Sequence, residues 1–197
     1  MIFHQNHLLL LNGNKSLYRK FFHIICGLTL YFLSLKISYS YLGLILIFLW
    51  IGLSLFEFLR FFFYEYLPLK SLWMPLLKKD EYKKLNDAWF FLTGLILSWF
   101  ILELKYFQLI LLILTLADPF ASLIGYYIGR KKLKNNKTLE GSLGFFVISL
   151  LITYFYIKTF SFFILLFCGI LSLTEAFTRR DNLWIPLIGS LCLKFYF

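Results

Sequence analysis

Charge is what this chain has least of. Only 15% of its 197 residues are Asp, Glu, Lys or Arg, while 60% are hydrophobic and the mean hydropathy is +0.77. A soluble domain is nearer half apolar and a quarter charged, so a water-soluble globular fold is excluded. Cysteine is also scarce. Cys26, Cys168 and Cys192 each lie in an apolar run away from His or acidic neighbours, which excludes a disulfide framework and a zinc spacing. No polar segment is long enough to fold separately, so residues 1–197 form one domain. The first sixteen residues contain a four-leucine run and no small-residue cleavage site, and no removable signal peptide is expected.

What is present is a series of apolar runs, near 17–35, 41–63, 88–104, 106–129, 141–157, 160–177 and 183–197. A helix needs about 20 residues to cross the hydrocarbon core, and backbone groups in lipid must be paired within the segment. None of the runs alternates polar with apolar residues, which excludes a β-barrel reading. The expectation is an all-α, polytopic integral membrane protein with about seven spans. Six is the fallback if the short final run is interfacial.

Cations test that count. Seven spans put Lys36, Lys105, Lys158 and Lys194 on one face and the remaining sixteen of the 20 Lys and Arg residues on the other. The positive-inside rule then places the N-terminus and loops 64–87, 130–140 and 178–182 in the cytosol. The formal net charge of +10 is thereby explained without nucleic acid. Within loop 64–87, Pro68, Trp73, Met74 and Pro75 suggest a segment lying on the membrane surface. Lys78, Lys79, Lys83 and Lys84 would there face anionic headgroups or a nucleotide.

The informative stretch runs from Leu116 to Phe145. Asp118 lies about 18 Å into the fourth run if that run is one helix, and an intramembrane carboxylate is a functional-site signal. Asp118 followed by Pro119 fits an N-cap and N1 pair, predicting a broken helix that restarts at Pro119. Asp118, Ala121, Ser122, Gly125 and Gly129 then fall within about 60° of one another, a face that admits a neighbouring backbone or a phosphate. The segment leaves the apolar region through Lys131, Lys132, Lys134 and Lys137, cations suited to a polyphosphate. Thr138, Glu140, Gly141 and Ser142 open the next helix with cap-like chemistry. Glu175, Asp181 and Asn182 lie on the same expected face, and an Asp-Asn pair there offers oxygen ligands to Mg²⁺. Two helical spacings complete the inventory: Arg19, His23 and Gly27 share one face, and Glu57 with Arg60 permits an ion pair.

Four separated segments together resemble one family. DPFASLIGYYIGRKK with KTLEGSLGF, RKFFHIICGL, FEFLR and TEAFTRRDNLWIPLIG are similar to motifs of the CTP-dependent lipid kinases. That family includes dolichol kinase, phytol and farnesol kinases and the yeast-type diacylglycerol kinase, and it is distantly related to phosphatidate cytidylyltransferase. Ala117 stands where the family often has glycine, and the Gly- and His-rich closing signature of the cytidylyltransferases is absent. The resemblance implies transfer of the terminal phosphate of CTP to a membrane lipid alcohol with Mg²⁺, at the cytosolic face of the cell membrane. Asp118, Asp181 and Asn182 would hold the metal, and Glu140 or Glu175 would accept the hydroxyl proton. Gly125, Gly129, Lys131, Lys132, Lys137, Thr138, Gly141 and Ser142 would cradle the nucleotide. The alternatives are cytidylyl transfer to phosphatidate and a transporter using Asp118 in a broken helix.

Overall fold

The computed structural model describes residues 2–77, 81, 84–133, 135 and 137–196. Lys78, Lys79, Lys83 and Lys134, assigned above to headgroups or phosphates, lie outside them. Seven long helices stand among the described residues, and they fall on the seven apolar runs. They are α1 (Ile2–Ser34), α2 (Tyr39–Phe62), α3 (Asp87–Ile101), α4 (Leu104–Tyr127), α5 (Leu139–Ile157), α6 (Phe162–Phe177) and α7 (Asp181–Tyr196). No strand is present among the described residues, only an isolated antiparallel bridge between Lys132 and Thr138. Among the described residues, three helices, α2, α4 and α5, are long and apolar enough to cross a membrane.

α4 is the hub. Leu109, Ile110, Leu111, Ile113 and Leu114 follow one another around the helix, and all are fully buried. A helix apolar and buried on every side belongs at the centre of its bundle. α1 meets it where Gln108 Nε2 donates to Ser34 Oγ at 3.0 Å, α5 where Tyr156 donates to Gln108 Oε1 at 2.7 Å, and α7 where Gly189 faces Ile110. α2 is the opposite case. Phe48, Ile51, Leu55 and Phe62 are exposed along it, an apolar surface suited to lipid.

The expected break at Asp118 is absent. Ala117 and Asp118 both have helical backbone angles, so the helix runs on through them. The chain instead absorbs Pro119 through a π turn over Ile113–Ala117. Proline has no N–H and its ring crowds the carbonyl four residues back, so an α register cannot pass through it unaltered. Widening the preceding turn by one residue relieves the conflict without ending the helix. α4 is therefore one kinked rod, not two half-helices.

The polar loops gather at one end. Asn135 Nδ2 donates to Phe177 O at 3.3 Å, which ties the α4–α5 loop to the α6–α7 loop. The Arg180 guanidinium lies 4.0 Å from the centre of the Phe90 ring in the first turn of α3. Loop 63–86 is clasped to α2 by Arg60. Its guanidinium pairs with Glu57 and donates to the carbonyls of Glu81 (2.9 Å) and Lys84 (2.7 Å), while Glu57 also accepts from the Asn86 amide. Glu57 and Arg60 are almost completely buried.

Arg60→Leu should leave the Glu57 carboxylate buried without its counter-charge and two carbonyls without donors. The loss expected for breaking such a pair is about 3–5 kcal/mol. Thermal unfolding in detergent should show the drop, together with earlier proteolysis within residues 64–86 than elsewhere.

Candidate active site

Three helices and one loop build the site. Asp118 follows the π turn of α4, Glu175 lies in the last turn of α6, and Asp181 begins α7. One carboxylate oxygen from each lies within 4.8 Å of the others. Asp181 sits favourably, because the positive end of α7 meets its charge and its Oδ1 accepts from the Asn182 amide at 2.9 Å. Glu175 sits unfavourably: it is 5% exposed and close to the negative end of its own helix. Such a carboxylate needs a cation.

Lys137 supplies one. Its Nζ is 2.7 Å from Glu175 Oε1, 2.7 Å from Asp181 Oδ2 and 2.6 Å from the Glu175 carbonyl oxygen. Three acceptors use the three protons of the ammonium group. Burial works against the lysine's charge, but Asp181, Glu175 and Asp118 outweigh it and hold its pKa above the ordinary value. The second oxygen of Glu175 accepts from Ser142 Oγ at 2.7 Å, so α5 joins the site through its first turn.

Lys137 is delivered by the start of α5. Thr138 is the N-cap, its side chain accepting from the Gly141 amide at 3.2 Å. The Glu140 carboxylate accepts from the Lys131 amide at 3.3 Å, folding loop 128–138 back onto the helix end. The small residues fix how close α4 and α5 come. A Cβ on Gly125 would lie 2.7 Å from Thr138 Oγ1, one on Gly129 2.7 Å from Thr138 Cγ2, and one on Gly141 2.8 Å from Ala121 O. Of the two occupants such a face admits, the structure therefore places a neighbouring helix there. Lys131 and Lys132 are exposed on the loop beside it.

The residues singled out in the sequence thus separate into groups. Asp118, Lys137, Ser142, Glu175 and Asp181 converge; Gly125, Gly129, Thr138 and Gly141 form the helix crossing beside them; Glu140 holds the loop. Asn182 lies next to Asp181, and its Oδ1 is buried without a hydrogen-bond partner. Sequence reasoning missed that Lys137 pairs with Glu175 and Asp181. These residues come from separate stretches of the chain, and nothing in their spacing marks the pairing.

An all-oxygen donor set suits a hard divalent cation. Asp118, Glu175 and Asp181 offer carboxylate oxygens, and the orphaned Asn182 oxygen is a further neutral donor. The residues present fit Mg²⁺.

The chain is 26% identical over 177 residues to an uncharacterized protein of Methanocaldococcus jannaschii, covering 88% of this chain and 90% of that one. No family model matches, and no solved structure matches.

Lys137→Met should leave three carboxylates facing one another. A lysine with a raised pKa contributes stability that is complete below its ordinary value near 10.5 and is lost as pH climbs past the folded one. The wild type should thus hold its melting temperature through mildly alkaline pH. The variant should lose about 2 kcal/mol near neutrality, below the ~3–5 kcal/mol of a fully buried pair because Lys137 is 17% exposed. Its deficit should shrink as pH falls and the carboxylates discharge, which a series of melts from pH 4 to 9 would follow.

Proposed function

We propose that this protein is a membrane-embedded, CTP-dependent lipid kinase, transferring a terminal phosphate to the hydroxyl of a lipid alcohol such as a polyprenol, phytol or diacylglycerol. The observation that carries the reading is the convergence of Asp118, Glu175 and Asp181 around Lys137, from two of the four segments that resemble that family's motifs. In this reading all seven helices cross the membrane. The cation-rich end of the bundle faces the cytosol, as the positive-inside rule directs.

Phosphoryl transfer depends chiefly on positioning and neutralising charge. The lipid oxygen forms a bond to the γ-phosphorus, the bond from that phosphorus to the β,γ-bridging oxygen breaks, and CDP leaves with the electron pair. Asp118 and Asp181, with Asn182 as a neutral donor, would hold Mg²⁺. When bound, Mg²⁺ would supply charge neutralisation for the transferring phosphate. Glu175 lies inside the carboxylate cluster, so it is the base this reading favours for the hydroxyl proton. Glu140 instead holds the loop through the Lys131 amide. Lys131 and Lys132, exposed at the same end, are the cations available to the outer phosphates. Lys137 keeps the carboxylates together.

Cytidylyl transfer would use the same carboxylates, and the label decides between them. With purified protein, Mg²⁺ and a panel of polyprenol, phytol, diacylglycerol and phosphatidate, γ-labelled CTP should label a neutral alcohol and leave CDP. Label arriving only from the α-position would make the protein a cytidylyltransferase. Transfer from neither position would sink both enzymatic readings.

Asp118→Asn keeps the side chain's size and removes its charge. Activity should fall by more than about 100-fold, the upper end of the loss seen when only an outer-shell partner of a metal is removed. Expression and melting temperature should stay close to wild type. Normal turnover in this variant would show that Asp118 is not part of the site.

A further inference from the structure

Pro119 leaves a carbonyl without its backbone partner. In a π turn each amide pairs with the carbonyl five residues back, so the donor due to Leu114 is residue 119, a proline that has none. α1 supplies the replacement. His23 Nε2 lies 3.2 Å from Leu114 O, and because a carbonyl only accepts, the ring proton is on Nε2. The edge of Phe91 steadies the imidazole, with ring centres 4.7 Å apart. One turn further along α1, Gly27 makes the approach possible: a Cβ there would lie 2.1 Å from Thr115 Oγ1. That hydroxyl is itself buried inside the π turn without a hydrogen-bond partner. An apolar side chain at 23 would fill the same space and leave the Leu114 carbonyl orphaned.

The π turn also sets where Asp118 points. It inserts one residue into the helical register, so its relaxation to α geometry would rotate everything beyond it by about 100°. Asp118 would then swing away from Glu175 and Asp181. We infer that His23 is a positioning residue for Asp118: it holds the π turn of α4 in place and thereby keeps the three carboxylates converged. This rests on the reading of Asp118 as a metal ligand in the proposed function.

The test uses the full chain in detergent with Mn²⁺ as the metal probe, followed by electron paramagnetic resonance without nucleotide or lipid. His23→Gln keeps an N–H donor at similar reach, and His23→Leu has none. Wild type and the Gln variant should bind Mn²⁺ within about threefold of one another, and the Leu variant should bind about 10–100-fold more weakly, as for loss of an outer-shell partner. The Mg²⁺ concentration giving half-maximal phosphate transfer should rise by the same factor, with the KM for lipid unchanged. Gly27→Ala is the second probe, because it pushes α1 off the π turn while leaving the imidazole intact; it too should weaken Mn²⁺ binding. Wild-type Mn²⁺ affinity in folded His23→Leu, or in Gly27→Ala should the Leu variant not fold, overturns the positioning role and leaves the kinase reading standing. A fall in affinity that the Gln variant shares equally would also overturn it, since the donor would then not be what matters. Failure of the wild type to bind Mn²⁺ would overturn the metal centre itself, and the role of His23 with it.

Discussion

The ammonium of Lys137 is the contact on which the polar end of this protein depends. It joins the loop before α5 to the last turn of α6 and the first residue of α7. Without it, Glu175 would sit buried near the negative end of its own helix with Asp118 and Asp181 beside it. Apolar substitutes for buried charges are often no less stable, because buried ion pairs seldom recover the cost of their desolvation. Charges kept at such a place are better explained by what they bind than by what they hold together.

A second constraint operates one layer deeper, in α4. Ile113, Leu114, Thr115 and Ala117 of this helix are fully buried, so a departure from α geometry there must be satisfied by a neighbour. Pro119 creates the departure, the π turn absorbs it, and His23 from α1 meets the Leu114 carbonyl. Gly27, Gly125, Gly129 and Gly141 serve one end: each removes a side chain where two helices must approach within van der Waals contact of the site's supports. The helix crossings and the carboxylate cluster are thus parts of one construction. Elsewhere in the bundle, as at the exposed face of α2, the sequence obeys only the demand to be apolar.

Much of this was legible in the sequence, for identifiable reasons. The seven apolar runs mark the seven long helices because apolar length is a property of single segments. The Glu57–Arg60 pair was visible because both residues lie on one helix at a fixed spacing. Asp118 stood out because a carboxylate in an apolar run has few other uses. The reading of Asp118-Pro119 as a helix start failed for a physical reason. Capping rules describe a helix that begins in water, whereas here the flanking residues are buried and an unpaired backbone end would cost more than a widened turn. The pairing of Lys137 with Glu175 and Asp181 was not legible at all. It spans 38 and 44 residues, and periodicity carries no information about which loops meet.

The electrostatics of the end of the bundle bring these strands together. Asp118, Glu175 and Asp181 meet around Lys137, and Lys131, Lys132, Arg179 and Arg180 lie on the loops at the same end. A polyphosphate drawn in by those cations would meet carboxylates and be repelled. A simple cation drawn to the carboxylates would meet the basic loops. A divalent metal seated on the carboxylates with an anion beside the basic loops would satisfy both halves of the field at once, which is the pairing that the proposed function calls for.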